Sequence, residues 1–387
     1  MFMKGKESLV YIIIIIIIST LSARAVNNMI MTTVPSFAKY ELSMNDLYVG
    51  LLASSLSMTT LISTVFINPF LSSPKRRMAF ILSTISIIFL LIFYYFSSKV
   101  TIWIITIITG LVYGFIMPNL ITFASIAKDK KNAERLLNIY SMSLSLSLVI
   151  GPLLETFLLE RYSYRDIFIL FLPLAIPLAF LSKNVKFPET TKEVRSFSVL
   201  KNHGLTAAII SITLYNIPFA IISSFIVIYT KELFNVANFE AYSVFLPFFS
   251  LSFLTRFIMA LRPFKDLRTP MALSILLTAI GIIIVSIAPN FTTLLLGMLI
   301  LGVPHGSIFP MSTIMISRGT SVYERNAANS FFIAYNNILF IVSPIIYAYL
   351  VTLLTSYRLA FLLSLVPLTI STVLFFKLFW NNKIILG

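Results

Sequence analysis

Polar residues along this 387-residue chain are confined to short gaps between long apolar runs. A run of about 20 apolar residues is long enough to cross roughly 30 Å of hydrocarbon as a helix. Such runs lie at 9–36, 46–70, 78–97, 102–126, 136–159 and 166–182, and again at 204–230, 240–261, 270–289, 292–317, 327–353 and 359–378. The pattern predicts an all-α integral membrane protein with twelve transmembrane helices, six and then six more. The longest polar stretch separates the two sets and holds Lys183, Lys186, Glu189, Lys192, Glu193, Arg195 and Lys201. Read as a linker, it divides the chain into an N-terminal six-helix bundle at 1–182, a cytoplasmic linker at 183–202 and a C-terminal six-helix bundle at 203–387. The start of the first run, residues 9–20, superficially matches a signal peptide, with Lys4 and Lys6 before it and Ala23-Arg24-Ala25 after it. Cleavage there would leave the first helix of the second set without a counterpart, so the run is kept as the first span.

The two sets share more than their number. Gly110-Leu-Val-Tyr-Gly114-Phe-Ile-Met-Pro118 returns as Gly302-Val-Pro-His-Gly306-Ser-Ile-Phe-Pro310, each anchor displaced by 192 residues. The same offset relates Gly151-Pro152 to Ser343-Pro344 and Arg76 to Arg268, and an offset of 193 relates Ser163-Tyr164-Arg165 to Ser356-Tyr357-Arg358. A parallel repeat of half the chain inside an apolar protein is the internal symmetry of two-bundle transporters. The glycines, four apart, also read as places where helices approach closely, and the prolines as places where helices can bend.

With 58% hydrophobic and 11% charged residues, the chain has too little polar surface for a water-soluble protein of this length. Its net charge of +15 would suggest nucleic acid in a soluble chain, but the basic residues are spread over the gaps and form no contiguous face for phosphates. They set orientation instead. Twenty-one of the 29 Lys and Arg residues fall on one side, in the amino terminus, the gaps near 72–77, 127–135, 183–201, 262–268 and 318–325, and the carboxyl terminus. The other side holds only Lys39, Lys99, Arg161, Arg165, Lys231 and Arg358. Both termini are therefore expected in the cytoplasm, with the protein multi-pass in the cell membrane. There is no cysteine and only two histidines, so thiol chemistry is excluded and a metal cluster is not expected. No cofactor is expected, and no Walker A loop is present to drive the protein by nucleotide hydrolysis.

Twelve spans in two repeats, the basic gap after span 2, Gly151-Pro152 in span 5 and Ser163-Tyr-Arg-Asp-Ile-Phe168 entering span 6 together resemble the major facilitator superfamily, across essentially the whole chain. The family's loop signature, Gly-x-x-x-Asp-Arg-x-Gly-Arg-Arg, aligns with Asn68 to Arg77. Arg76 and Arg77 match, whereas Asn68, Ser72, Ser73 and Lys75 depart from it. The span 5 pattern Gly-Pro-x-x-Gly-Gly of drug–proton antiporters is broken by Glu155 and Thr156. On this resemblance Arg76, Arg77, Arg256 and Arg268 are candidate gating residues, and spans 1, 4, 7 and 10 are expected to line a central cavity.

Four ionisable side chains fall well inside spans: Arg24, Glu155, Arg256 and His305. A charge in hydrocarbon is costly and so is a functional candidate by default. At 1.5 Å per residue, Arg24 and His305 lie about 24 Å and about 20 Å from the nearest cytoplasmic polar marker. Arg256 at about 9 Å and Glu155 at about 30 Å lie near the two surfaces, where a side chain can snorkel out. The repeat offset carries His305 onto Tyr113 and Arg24 onto Asn216. Asn28 shares the helical face of Arg24, and Tyr215 neighbours Asn216. Arg24, Asn28, Tyr113, Tyr215, Asn216 and His305 are thus the expected substrate-binding residues. For the asparagines, hydrogen bonding between helices is an equally simple account. His305 is the expected proton-coupling group because imidazole titrates near pH about 6.5, with Glu155 its rival.

These residues point to secondary active transport of a small organic solute by alternating access, as a monomer in the lipid bilayer and without nucleic acid. Arg24 favours an organic anion, and proton symport is the coupling considered. Efflux of amphipathic or drug-like compounds stays open as an alternative, and a non-transporting membrane sensor as a reading from another class. Topology is the first thing to test: a single cysteine at Lys192, with no native cysteine to compete, should be labelled only from the cytoplasmic side. Labelling from outside would overturn the orientation.

Overall fold

The computed structural model describes residues 9–124, 130–187, 197–261, 264–320 and 325–387. Among them no residue lies in a strand, and twelve helices are long and apolar enough to cross a membrane. In chain order these are α1 (Leu9–Tyr40), α2 (Asp46–Phe70), α3 (Ser73–Tyr95), α4 (Thr101–Ala124), α5 (Lys130–Leu158) and α6 (Tyr164–Asn184). Then come α7 (His203–Phe234), α8 (Asn238–Met259), α9 (Arg268–Ile287), α10 (Phe291–Gly319), α11 (Arg325–Leu354) and α12 (Tyr357–Phe379). The all-α, twelve-span architecture read from the hydropathy pattern is the one observed. Residues 188–196 of the expected linker, Lys192 included, lie outside the described residues.

Local chemistry explains where helices begin and how they tolerate proline. Both copies of the Ser-Tyr-Arg motif start the sixth helix of their half: Ser163 accepts the Asp166 N–H, and Ser356 accepts the Leu359 N–H. Pro118, Pro152, Pro304, Pro310 and Pro344 all sit inside continuous helices. Each removes one backbone donor, a loss that surrounding helices and hydroxyls offset in a membrane. Threonine and serine hydroxyls mostly donate back to the preceding turn, as Thr109 does to the Ile105 carbonyl at 2.7 Å and Thr278 to the Ser274 carbonyl at 2.7 Å. In hydrocarbon that back-bond keeps the hydroxyl satisfied without a second helix.

The chain divides into two compact units, 1–42 with 55–193, and 43–54 with 194–387. Within the first unit α1 packs on α4, α5 and α6, and α3 on α4 and α6. The second unit repeats those pairings as α7 on α10, α11 and α12, and α9 on α10 and α12. The start of α2 belongs to the second unit, where the Tyr357 hydroxyl donates to Asp46 at 2.8 Å. Its counterpart motif in the first unit works differently. There Arg165 donates its backbone N–H to Glu41 at 3.1 Å and lays its guanidinium over the Phe37 ring.

The glycine motif shows the repeat at atomic level. A Cβ on Gly110 would collide with the Leu56 carbonyl and Thr59 of α2, and one on Gly114 with the Thr60 carbonyl and Ser63. In the second unit, a Cβ on Gly302 would collide with the Phe248 carbonyl and Leu251 of α8, and one on Gly306 with the Ser252 carbonyl and Thr255. Every collision partner in the second unit is the first unit's partner displaced by 192 residues. The glycines let α4 seat on α2, and α10 on α8, with backbone nearly touching backbone. Gly302→Val should therefore force these helices apart and lower stability by about 1–3 kcal/mol, read as a drop in the melting temperature of purified protein. A melting temperature equal to wild type would show that the contact is not tight.

Candidate functional site

In the first unit, Arg24 and Asn28 lie one turn apart on α1, and the Arg24 guanidinium is within electrostatic reach of two phenols, Tyr113 on α4 and Tyr140 on α5. The structure thus brings Tyr113, which the repeat offset matches to His305, near Arg24, and adds Tyr140, which the sequence reading missed. The Nε of Arg24, the Nδ2 of Asn28 and the hydroxyl of Tyr113 are all buried and have no hydrogen-bond partner among the described residues. All three are donors. An unpaired buried donor costs about 1–3 kcal/mol, so three on one cluster amount to a standing demand for an acceptor.

Further along α1, Glu155 of α5 is 0% exposed. Its Oε1 lies 2.9 Å from the hydroxyls of both Thr32 and Thr33. Glu155 therefore does not snorkel outward, as its estimated depth suggested it could, because its side chain turns sideways onto α1. Gly151, one turn earlier on α5, marks the same contact: a Cβ there would lie 3.6 Å from the Ala25 carbonyl.

The second unit holds a different kind of cluster. The His305 ring of α10 is surrounded by Phe219 at 4.1 Å, Phe248 at 5.0 Å, Tyr215 at 5.5 Å and Phe249 at 5.6 Å between ring centroids. Arg256 donates to the His305 carbonyl at 3.3 Å, so it too turns inward instead of snorkelling. Asn216 donates to the Oδ1 of Asn336, whose own amide donates to the Phe332 carbonyl at 2.7 Å. The Tyr215 hydroxyl is buried without a hydrogen-bond partner among the described residues.

The family model of the Major Facilitator Superfamily matches residues 16–265 and 262–384. The chain belongs to the major facilitator superfamily. Solved structures agree on the fold. A D-xylose-proton symporter superposes with a TM-score of 0.75 at 13% identity, over 96% of this chain and 98% of that one. The nucleoside transporter NupG gives 0.71 at 14%, over 95% and 100%. A bacterial homologue of the human lysosomal transporter Spinster, inward-facing and unoccupied, gives 0.74 at 12%, over 96% and 97%. No curated protein matches the sequence. The chain is thus a multi-pass membrane protein with the fold of a transporter, and the family points away from an enzyme.

In this superfamily member the candidate gating arginines are held by their own bundles. Arg76 is buried and donates to the Leu71 carbonyl at 3.3 Å, while Arg77 donates to the Lys183 carbonyl at 3.1 Å. In the second unit Arg268 pairs with Asp266 at 2.8 Å and donates to the Trp380 carbonyl at 2.8 Å. The Arg268 backbone N–H, followed by its guanidinium, holds the exposed Asp266 carboxyl below its usual range. In both halves the loop after the second helix is tied to the chain that follows the sixth. Asn216 and Asn336 give the test for this subsection. N216A and N336A should each destabilise the protein, and the double variant should fall short of their sum by about 0.5–1.5 kcal/mol. Strict additivity would mean that the pair is not formed.

Proposed function

We propose that the protein is a secondary active transporter for a small organic anion, working by alternating access of its 1–182 and 203–387 bundles in the cell membrane, as a monomer with both termini cytoplasmic. The observation that carries this reading is the donor cluster of the first unit. Arg24, Asn28 and Tyr113 present a fixed cation and three unpaired donors, a set that a carboxylate or similar acceptor satisfies and that a neutral apolar solute leaves orphaned. Arg24 binds the anionic group, and Asn28 and Tyr113 orient it. Tyr215, Asn216 and His305 are the second bundle's contribution to recognition, and Arg76, Arg77, Arg256 and Arg268 remain the gating candidates.

The test uses small carboxylic acids and their neutral amides as probes, scored by the rise in melting temperature of purified protein. A ligand at a hundred times its Kd adds about 2.7 kcal/mol of apparent stability. At least one acid should stabilise the wild type more than its amide does. Arg24→Gln should abolish that difference, and Arg24→Lys should weaken it, because the ammonium lacks the planar fork that matches a carboxylate. Equal response of wild type and Arg24→Gln to every acid would remove Arg24 from recognition. Stabilisation of both by neutral amphipathic compounds would favour the efflux reading.

A further inference from the structure

The Glu155 carboxyl is contacted through one oxygen only, by two threonine hydroxyls, and its other oxygen is buried without a hydrogen-bond partner among the described residues. The Thr32 hydroxyl lies 3.0 Å from the Asn28 carbonyl, 3.1 Å from the Met29 carbonyl and 2.9 Å from Glu155 Oε1. It has a single proton to give. A threonine inside a helix gives that proton to the preceding turn, and its lone pairs then face Glu155. In that arrangement Glu155 supplies the hydrogen of the 2.9 Å contact, whereas an ionised Glu155 accepts the Thr32 proton instead. Thr33, also 2.9 Å from Oε1, can donate to that same oxygen whether or not it carries a proton.

The other carboxyl oxygen decides between the two states. Glu155 Oε2 is buried with no hydrogen-bond partner among the described residues. As half of a carboxylate it would be a desolvated anionic oxygen without a donor, among the most costly arrangements a membrane interior allows. As the carbonyl oxygen of a neutral acid it is only an unpaired acceptor, the cheapest buried group to leave unmet. Among the described residues, no cation is paired with the Glu155 carboxyl. The ionisable groups on the helices packed against α5 are Tyr11, Arg24, Lys39 and Tyr40 on α1 and Tyr94-linked Tyr113 on α4. α5 itself carries Tyr140 and, at its start some twenty residues before Glu155, Lys130, Lys131, Glu134 and Arg135. Among the described residues, the side chains that hydrogen-bond the Glu155 carboxyl are Thr32 and Thr33.

We infer that Glu155 is a proton-binding site buried between α1 and α5 of the first unit, and that Thr32 reports its occupancy to the Asn28 turn of α1. With the proton present, Oε1–H donates to Thr32 Oγ1, and Thr32 donates to the Asn28 carbonyl. When the proton leaves to a water admitted to the site, the carboxylate has to be met by a donor. The Thr32 O–H then swings from the Asn28 carbonyl to Glu155. That removes the side-chain hydrogen bond from the Asn28 carbonyl, and the amide of Asn28, four residues along α1 from Arg24, belongs to the donor cluster. As a regulator of anion binding this inference rests on the function proposed above, whereas the proton on Glu155 stands without it.

Infrared spectroscopy of the full chain in lipid, in H2O and D2O at neutral pH, tests both parts. Other carboxyls exposed to water are ionised there, so a protonated-carboxyl C=O band that shifts in D2O already reports a buried neutral acid in the wild type. That band should be lost in Glu155→Gln, which has nearly the shape of the neutral acid, and kept in Arg24→Gln, so a failure of the anion reading leaves it untouched. Thr32→Val should displace the band, and Thr32→Ser should restore it. A wild-type spectrum without the band, or a band that survives Glu155→Gln, overturns the proton site. A band indifferent to Thr32→Val overturns the relay.

Discussion

A polar group inside a bilayer has no water to fall back on, and the placement of nearly every hydroxyl, amide and charge in this protein answers to that fact. Thr109, Ser143, Thr230 and Thr278 return their protons to the preceding turn. Ser211 meets Ser312, and Ser274 meets Ser307, each pair 2.7 Å apart. Against that background the unsatisfied groups stand out. Ser19 and Thr20 on α1 are small rotors whose hydroxyls are left unpaired, a modest cost. Arg24, Asn28 and Tyr113 are larger, converge on one place and are all donors, and it is this conjunction that gives the first unit a chemical direction.

The architecture was legible because its determinant, the length and number of the hydrophobic runs, is a property of sequence position alone. The repeat was legible because glycine at a helix crossing has no substitute. Gly110 and Gly302 meet backbone carbonyls at equivalent positions, so both copies had to keep them. The site was only partly legible. Arg24 stood out because a guanidinium inside a span is rare, and Tyr113 because the 192-residue offset carries His305 onto it, but their proximity to each other was not legible. Tyr140, Thr32 and Thr33 gave no such signal, since tyrosine and threonine are ordinary in membrane helices.

The misplacement of Glu155 and Arg256 has a geometric cause. Counting residues along an axis gives depth and says nothing about which way round the helix a side chain points. The missing coordinate was present for Glu155 in Gly151, four residues earlier on the same face, where the lack of a side chain marks the direction of α1. A polar stripe on α5 from Tyr140 through Ser147 and Gly151 to Glu155 runs along that face. Arg256 gave no comparable hint, because its acceptor is a backbone carbonyl that every residue owns.

The contacts under the four glycines also bear on how the halves came to differ. Each glycine approaches a main-chain oxygen of α2 or α8, together with a side chain one turn away, a small hydroxyl residue on α2 and Leu251 or Thr255 on α8, so the register of each crossing is anchored in backbone while the side chains beside it differ. Leu56 stands where the second copy has Phe248, and Thr60 where it has Ser252, with the crossing unchanged. A duplicated scaffold joined this way can drift freely in chemistry without losing alignment. One copy has kept hungry donors around an arginine while the other has filled the corresponding layer with aromatic rings around a histidine, and neither change had to be compensated in the other copy to preserve the fold.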